Sequence, residues 1–181
     1  MSDTIFILDW DDTLFPTSGI RYSSVINLPL FVDTLHDFLN QCVDKGNTYI
    51  LTLSRDNWVK KCVNEMSKIN DKLLKTFDNI KIIEAEVYSK ITDNRTEWKK
   101  LAVKDILNAQ TTKIKRIISC GDLLFDFLAI VSNTTKKIKS VFFKFNQTPS
   151  GEQLLDELVK CNSTIKKILN YKAKNMLISV N

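Results

Sequence analysis

Along the chain, short apolar runs alternate with longer amphipathic ones. Five segments read as buried strands: Thr4–Asp9, Asn47–Leu53, Asn79–Glu84, Arg116–Cys120 and Lys139–Lys144. Each has about strand length and is apolar and partly β-branched, and several are close to continuously hydrophobic, as a parallel sheet covered on both faces requires. Between them the apolar positions follow a helical period. Pro29 opens one helix that carries Leu30, Phe31, Leu35, Phe38, Leu39 and Cys42, and Lys45-Gly46 closes it. Further helices are expected from Asp56 to Leu74, Arg95 to Ala109, Leu123 to Val131, and Ser150 to Tyr171. Strands alternating with helices in this way predict an α/β fold: a three-layer, doubly wound, Rossmann-like parallel sheet of five strands, with helices on both faces. The whole chain, residues 1–181, reads as a single domain with a core over about 4–145 and a C-terminal helix over about 150–172.

Composition narrows the chemistry. Four glycines, Gly19, Gly46, Gly121 and Gly151, are spread too far apart for a phosphate-binding P-loop or a dinucleotide-binding glycine turn, each of which needs clustered glycines. No apolar stretch approaches the roughly 18–20 residues of a membrane span. Met1-Ser2-Asp3-Thr4 lacks the basic and apolar regions of a secretory signal. Cys42, Cys62, Cys120 and Cys161 never form C-x-x-C and share the chain with one histidine, His36, so they read as buried free thiols in a reducing, cytoplasmic setting. The net charge of +5 is lopsided: residues 1–58 hold eight acids and three bases, and residues 59–181 hold thirteen acids and twenty-three bases. Scattered lysines without interleaved aromatics read first as solvated faces, with binding to nucleic acid as the alternative.

In doubly wound sheets ligands bind at the carboxyl ends of the strands, and there the carboxylates gather. The first strand runs into Asp9-Trp10-Asp11-Asp12-Thr13. A calcium loop fails, because Leu14 and Ile20 stand where Gly and Glu are needed. Carboxylates this close repel and need a compensating cation. Thr52 offers a hydroxyl at the second strand's end. Lys99 offers an ammonium before the fourth strand, which itself ends in Gly121-Asp122-x3-Asp126. Ser54 is the alternative to Thr52, and Lys100 to Lys99. Asp12 reads as turn-capping, and Arg55 as a surface or helix-start residue.

Asp9-x-Asp11-x-Thr13, Thr52, Lys99 and Gly121-Asp122-x3-Asp126 resemble motifs I to IV of the haloacid dehalogenase phosphohydrolase superfamily, in order and in strand-end placement. The resemblance implies a Mg²⁺-dependent phosphomonoester hydrolase. Asp9 would be the nucleophile that forms an aspartyl-phosphate, and Asp11 the general acid and base. Thr52 and Lys99 would hold the phosphoryl oxygens. Mg²⁺ would be held by Asp9, the Asp11 backbone carbonyl and Asp122, with Asp126 ligating or orienting that shell. The second aspartate of motif I separates phosphohydrolases from the dehalogenases of the family. Neither the 14–28 segment nor the gap from Lys99 to Asp122 has room for a cap domain, and capless members present an open site. Such a site suits macromolecular or large substrates, phosphoproteins or phosphorylated nucleic-acid ends; Phe15, Pro16, Arg21 and Tyr22 read either as a short flap that meets the substrate or as turn and core residues. The alternatives are a catalytically weak binding module with a basic surface and a phosphotransferase. The lysines of the last helix, Lys160, Lys166, Lys167, Lys172 and Lys174, read as the outer face of a layer packed on the sheet.

Overall fold

In a computed structural model that describes residues 2–21, 27–135, 137–169 and 175–181, the chain builds a six-stranded, all-parallel open sheet flanked by helices. The strands are β1 (Thr4–Leu8), β2 (Asn47–Thr52), β3 (Ile80–Glu84), β4 (Arg116–Gly121), β5 (Lys139–Lys144) and β6 (Met176–Ser179), in spatial order β3-β2-β1-β4-β5-β6. The chain builds outward from β1 to β3, then crosses back to start β4 on the other side of β1. That reversal lies between β1 and β4, whose register pairs Leu8 with Cys120.

Alternation along β1 explains the two cores. Phe6 and Leu8 face one way, and Ile5 and Ile7 the other, all buried. The first face is covered by α2 (Leu28–Lys45), α3 (Trp58–Ser67), α4 (Lys72–Phe77) and α7 (Gly151–Ile168), the second by α5 (Arg95–Asn108) and α6 (Leu124–Val131). A five-residue helix, α1 (Thr17–Arg21), follows β1, and a 3-10 helix, Ala85–Lys90, follows β3. All four cysteines are buried free thiols. Among the described residues no helix is long and apolar enough to cross a membrane.

Three expectations are corrected. The sheet has six strands, not five: Met176–Ser179 adds to β5 with Val141 opposite Met176, and Val180 beyond it is buried with its N–H on the Lys144 carbonyl at 3.1 Å. The helix expected from Asp56 to Leu74 is two helices. Asn70 interrupts it: its side chain accepts from the Lys72 N–H at 3.1 Å and donates to Asp33 at 2.8 Å, competing with helical hydrogen bonds. The restart lets α4 bury Leu73 and Phe77 in the first core. The C-terminal helix, expected to about 172, spans Gly151–Ile168, capped by Ser150 accepting from the Gln153 N–H at 3.2 Å. Tyr22, Tyr171, Lys172 and Lys174, and the side chain of Arg21, lie outside what the structure describes.

Candidate active site and metal centre

The carboxyl ends of β1 and β4 put Asp9 and Asp122 side by side at the sheet's switch point, tied together by the Asp9 N–H on the Cys120 carbonyl at 3.0 Å. Asp126, in the first turn of α6, folds back beneath them. Its Oδ2 accepts from the Leu123 N–H at 3.1 Å, so the same carboxylate caps the helix and faces the site. Carboxylate oxygens of Asp9, Asp122 and Asp126 lie within 4.8 Å of one another, and all three residues are buried. Gly121 is required here by proximity, not by an unusual dihedral, since no described glycine has a positive φ. A Cβ at Gly121 would stand 2.6 Å from Asp126 Oδ2.

Lys99 enters from α5, in the same helical layer as α6. Because α5 begins near the strands' carboxyl ends, its second turn aims Lys99 inward, with 3% exposure, to Asp9 Oδ1 at 2.5 Å and Asp126 Oδ1 at 2.6 Å. The neighbouring Lys100 is instead paired with Glu97 at 2.6 Å near the surface, so Lys99 is the lysine brought to the cluster.

One ammonium does not balance three buried carboxylates. Burial, with Asp126 and Asp11 adding to it against the opposing charge of Lys99, pushes the Asp9 carboxyl up to about 7. Burial followed by the charges of Asp9 and Asp126 pushes Asp122 up to about 8. Burial works against the Lys99 ammonium, but Asp9 and Asp126 outweigh it and hold the lysine charged. The deficit is positive charge, and the donors are hard carboxylate oxygens. That set fits a divalent cation such as Mg²⁺ or Ca²⁺.

Asp11 is turned elsewhere. Its carboxylate accepts from Ser54 Oγ at 2.5 Å, Thr17 Oγ1 at 2.6 Å, Trp58 Nε1 at 3.1 Å and Thr52 Oγ1 at 3.4 Å. It lines an open depression of about 420 Å³ together with Phe15, Ile20, Ser54, Arg55 and Trp58. Thr52 is fully buried at the end of β2 and accepts from the Ser54 N–H at 2.9 Å. Both candidate hydroxyls therefore reach Asp11, with Ser54 on the depression and Thr52 beneath it. Thr13 Oγ1 stands 3.5 Å from Asp9 Oδ2.

The loop after β1 is wound around one acceptor: the Trp10 carbonyl takes the N–H groups of Thr13, Leu14 and Phe15. Asp12 sits there in the left-handed region, φ 56°, and its carboxylate accepts from Ser18 N at 2.8 Å and Ser18 Oγ at 2.6 Å, holding the first turn of α1. Pro16 is buried, and Phe15 stacks on Trp10. Arg55 pairs with Glu86 at 2.9 Å at the depression's rim.

Two residues escaped sequence reasoning. Trp58 reads as one more apolar helix position, but Asp56 and Asn57, both at φ 58°, turn the chain so that its indole N–H meets Asp11. Lys144 reads as a strand-end charge, but its ammonium lies on the Asp122 carbonyl at 2.5 Å. In neither case does spacing along the chain carry the signal.

No family model matches the sequence, and no curated protein matches it. Among solved structures, the chain is similar to the crystal structure of the Legionella pneumophila effector Ceg4, with a TM-score of 0.52 and 13% identity over 88% of this chain and 94% of that one. At that identity the likeness concerns the fold.

Proposed function

We propose that this protein is a Mg²⁺-dependent phosphomonoester hydrolase of the haloacid dehalogenase type, with an open site that admits large or macromolecular phosphorylated substrates. The observation that carries this reading is the convergence of Asp9 and Asp122 from the strand ends with Asp126 and Lys99 from the α5–α6 layer on the sheet's switch point, with Asp11 two residues from Asp9 on an open depression. Asp9, Asp122 and Asp126, with the Asp11 backbone carbonyl, would hold the metal. When bound, Mg²⁺ would offset the carboxylate charge and the charge on the phosphoryl oxygens.

Asp9 attacks phosphorus with a carboxylate oxygen as the ester P–O bond breaks, giving an aspartyl-phosphate. Lys99 holds Asp9 Oδ1 at 2.5 Å, and Oδ2, with only the longer contact to Thr13 Oγ1 at 3.5 Å, makes that attack. Asp11 delivers a proton to the departing oxygen, then removes one from the water that cleaves the acyl phosphate and frees inorganic phosphate. Thr52 and Lys99 hold the phosphoryl oxygens, and Ser54, Thr17 and Trp58 fix the Asp11 carboxylate. The test is hydrolysis of a generic aryl phosphate with Mg²⁺ and with EDTA, beside Asp9→Asn. Turnover that needs metal and disappears in Asp9→Asn is expected. Turnover that persists in the variant overturns Asp9 as nucleophile.

A second reading, a binding module, rests on the opposite end of the sheet. There Arg116 and Lys139 start neighbouring strands in register, and Lys113, Lys115 and Lys137 lie in the approaching loops. Salt-sensitive binding to duplex DNA that Asp9→Asn leaves intact, without hydrolysis, would favour it.

A further inference from the structure

Lys144 is the last residue of β5 and stands in register with Gly121, the last residue of β4. Its Nζ donates to the Asp122 carbonyl at 2.5 Å and to the Phe145 carbonyl at 2.6 Å, and the Phe145 N–H closes onto the Gly121 carbonyl at 3.0 Å. These bonds stitch residues 121–122 to residues 144–145 where both strands leave the sheet. Behind them, Glu157 of α7, 2% exposed, accepts from the Asn146 N–H at 3.1 Å. Burial raises the Glu157 carboxyl, and the bond from the Asn146 N–H, followed by the charges of Lys160 and Lys144, opposes that rise.

We propose that Lys144 is a positioning residue for the divalent cation: by fixing the Asp122 carbonyl it sets the direction in which the Asp122 carboxylate leaves the chain toward Asp9 and Asp126. The inference rests on the metal reading above. A peptide plane is rigid, so an anchored carbonyl limits the turning of the backbone at Asp122 and with it the direction of the Cα–Cβ bond that carries the carboxylate. Asp122 follows Gly121 and precedes the N-terminus of α6, and Lys144 supplies a charged anchor to this connection from the neighbouring strand. Groups that orient metal ligands in this way carry about 10- to 100-fold in metal affinity.

The experiment is calorimetric titration of Mg²⁺ into the full chain, as wild type, Lys144→Met and Lys144→Arg. Met keeps much of the apolar stem and drops the donors; Arg restores charged N–H donors to the two carbonyls. The expected result is a Mg²⁺ dissociation constant at least about 10-fold weaker in Lys144→Met, largely recovered in Lys144→Arg. Lys144→Met that binds Mg²⁺ as tightly as wild type overturns the proposal, as does a loss that Lys144→Arg fails to recover. Wild type that binds no Mg²⁺ overturns the metal reading and this inference with it. Should Lys144→Met lose its cooperative melt, Lys144→Leu, which also drops the donors and keeps an apolar side chain, carries the same comparison. Weaker binding than wild type supports the proposal, and equal binding overturns it.

Discussion

Lys99 answers two buried carboxylates at once, and the geometry predicts what its loss does. Lys99→Met leaves Asp9 and Asp126 without their shared cation at positions 7% exposed each. Stranding a buried charge in this way costs about 3–5 kcal/mol. Urea unfolding of the metal-free protein is expected to show a loss of that order, and Lys100→Met, at a surface pair, a loss within about 0.5 kcal/mol. Gly121→Ala tests the other close approach. Its Cβ meets Asp126 Oδ2 at 2.6 Å, so either the carboxylate or the β4 exit must shift. Weakened Mg²⁺ binding, read by titration, is expected even where the variant still folds.

At the scale of elements, the short connections around the site carry more weight than their length suggests. The β1 loop holds Asp12 at positive φ and uses its carboxylate to tie down α1. Asp12→Ala removes both bonds to Ser18, and a loss of about 1 kcal/mol is expected by thermal or urea unfolding, in the range of helix-capping substitutions. The final strand acts at longer range. Met176–Ser179 covers β5, and Val180 is buried beside it. Removing residues 175–181 uncovers that edge and empties the Val180 position. A lower melting temperature together with association detected by light scattering is expected, since uncovered strand edges pair with other chains.

For the whole molecule, the acidic site makes metal-free stability depend on pH with a definite sign. Asp9 and Asp122 have carboxyls raised from an ordinary 3.8 to about 7 and about 8. Between those limits the native state binds more protons than the unfolded chain, so stability falls as pH rises. The contribution is fully present below about pH 4 and is lost as pH passes through about 8. With EDTA, the urea midpoint is expected to be higher at pH 5 than at pH 8.5. Saturating Mg²⁺ should reverse or flatten the trend, because a bound cation favours the ionised carboxylates. A trend that Mg²⁺ leaves untouched would separate the ion from this cluster.

Much of this architecture is written in local pattern. Continuous apolar runs of strand length specify the parallel strands β1 to β5, because both faces of such a sheet must be buried; the spacing of Phe31, Leu35, Phe38 and Cys42 specifies α2; and carboxylates at two strand ends mark the candidate site. Those signals are carried by neighbours along the chain. The break at Asn70 depends on a hydrogen bond to Asp33, the addition of β6 on an edge that β5 offers, and the choice of Lys99 over Lys100 on which face of α5 meets the sheet. Trp58 on Asp11 and Lys144 on the Asp122 carbonyl join positions 47 and 22 residues apart. Strands β1 to β5, their parallel character and the acidic chemistry are legible along the chain, because period and residue type act locally. Which polar side chains share a site is a matter of packing, because a buried charge is settled by whatever partners come within hydrogen-bond reach.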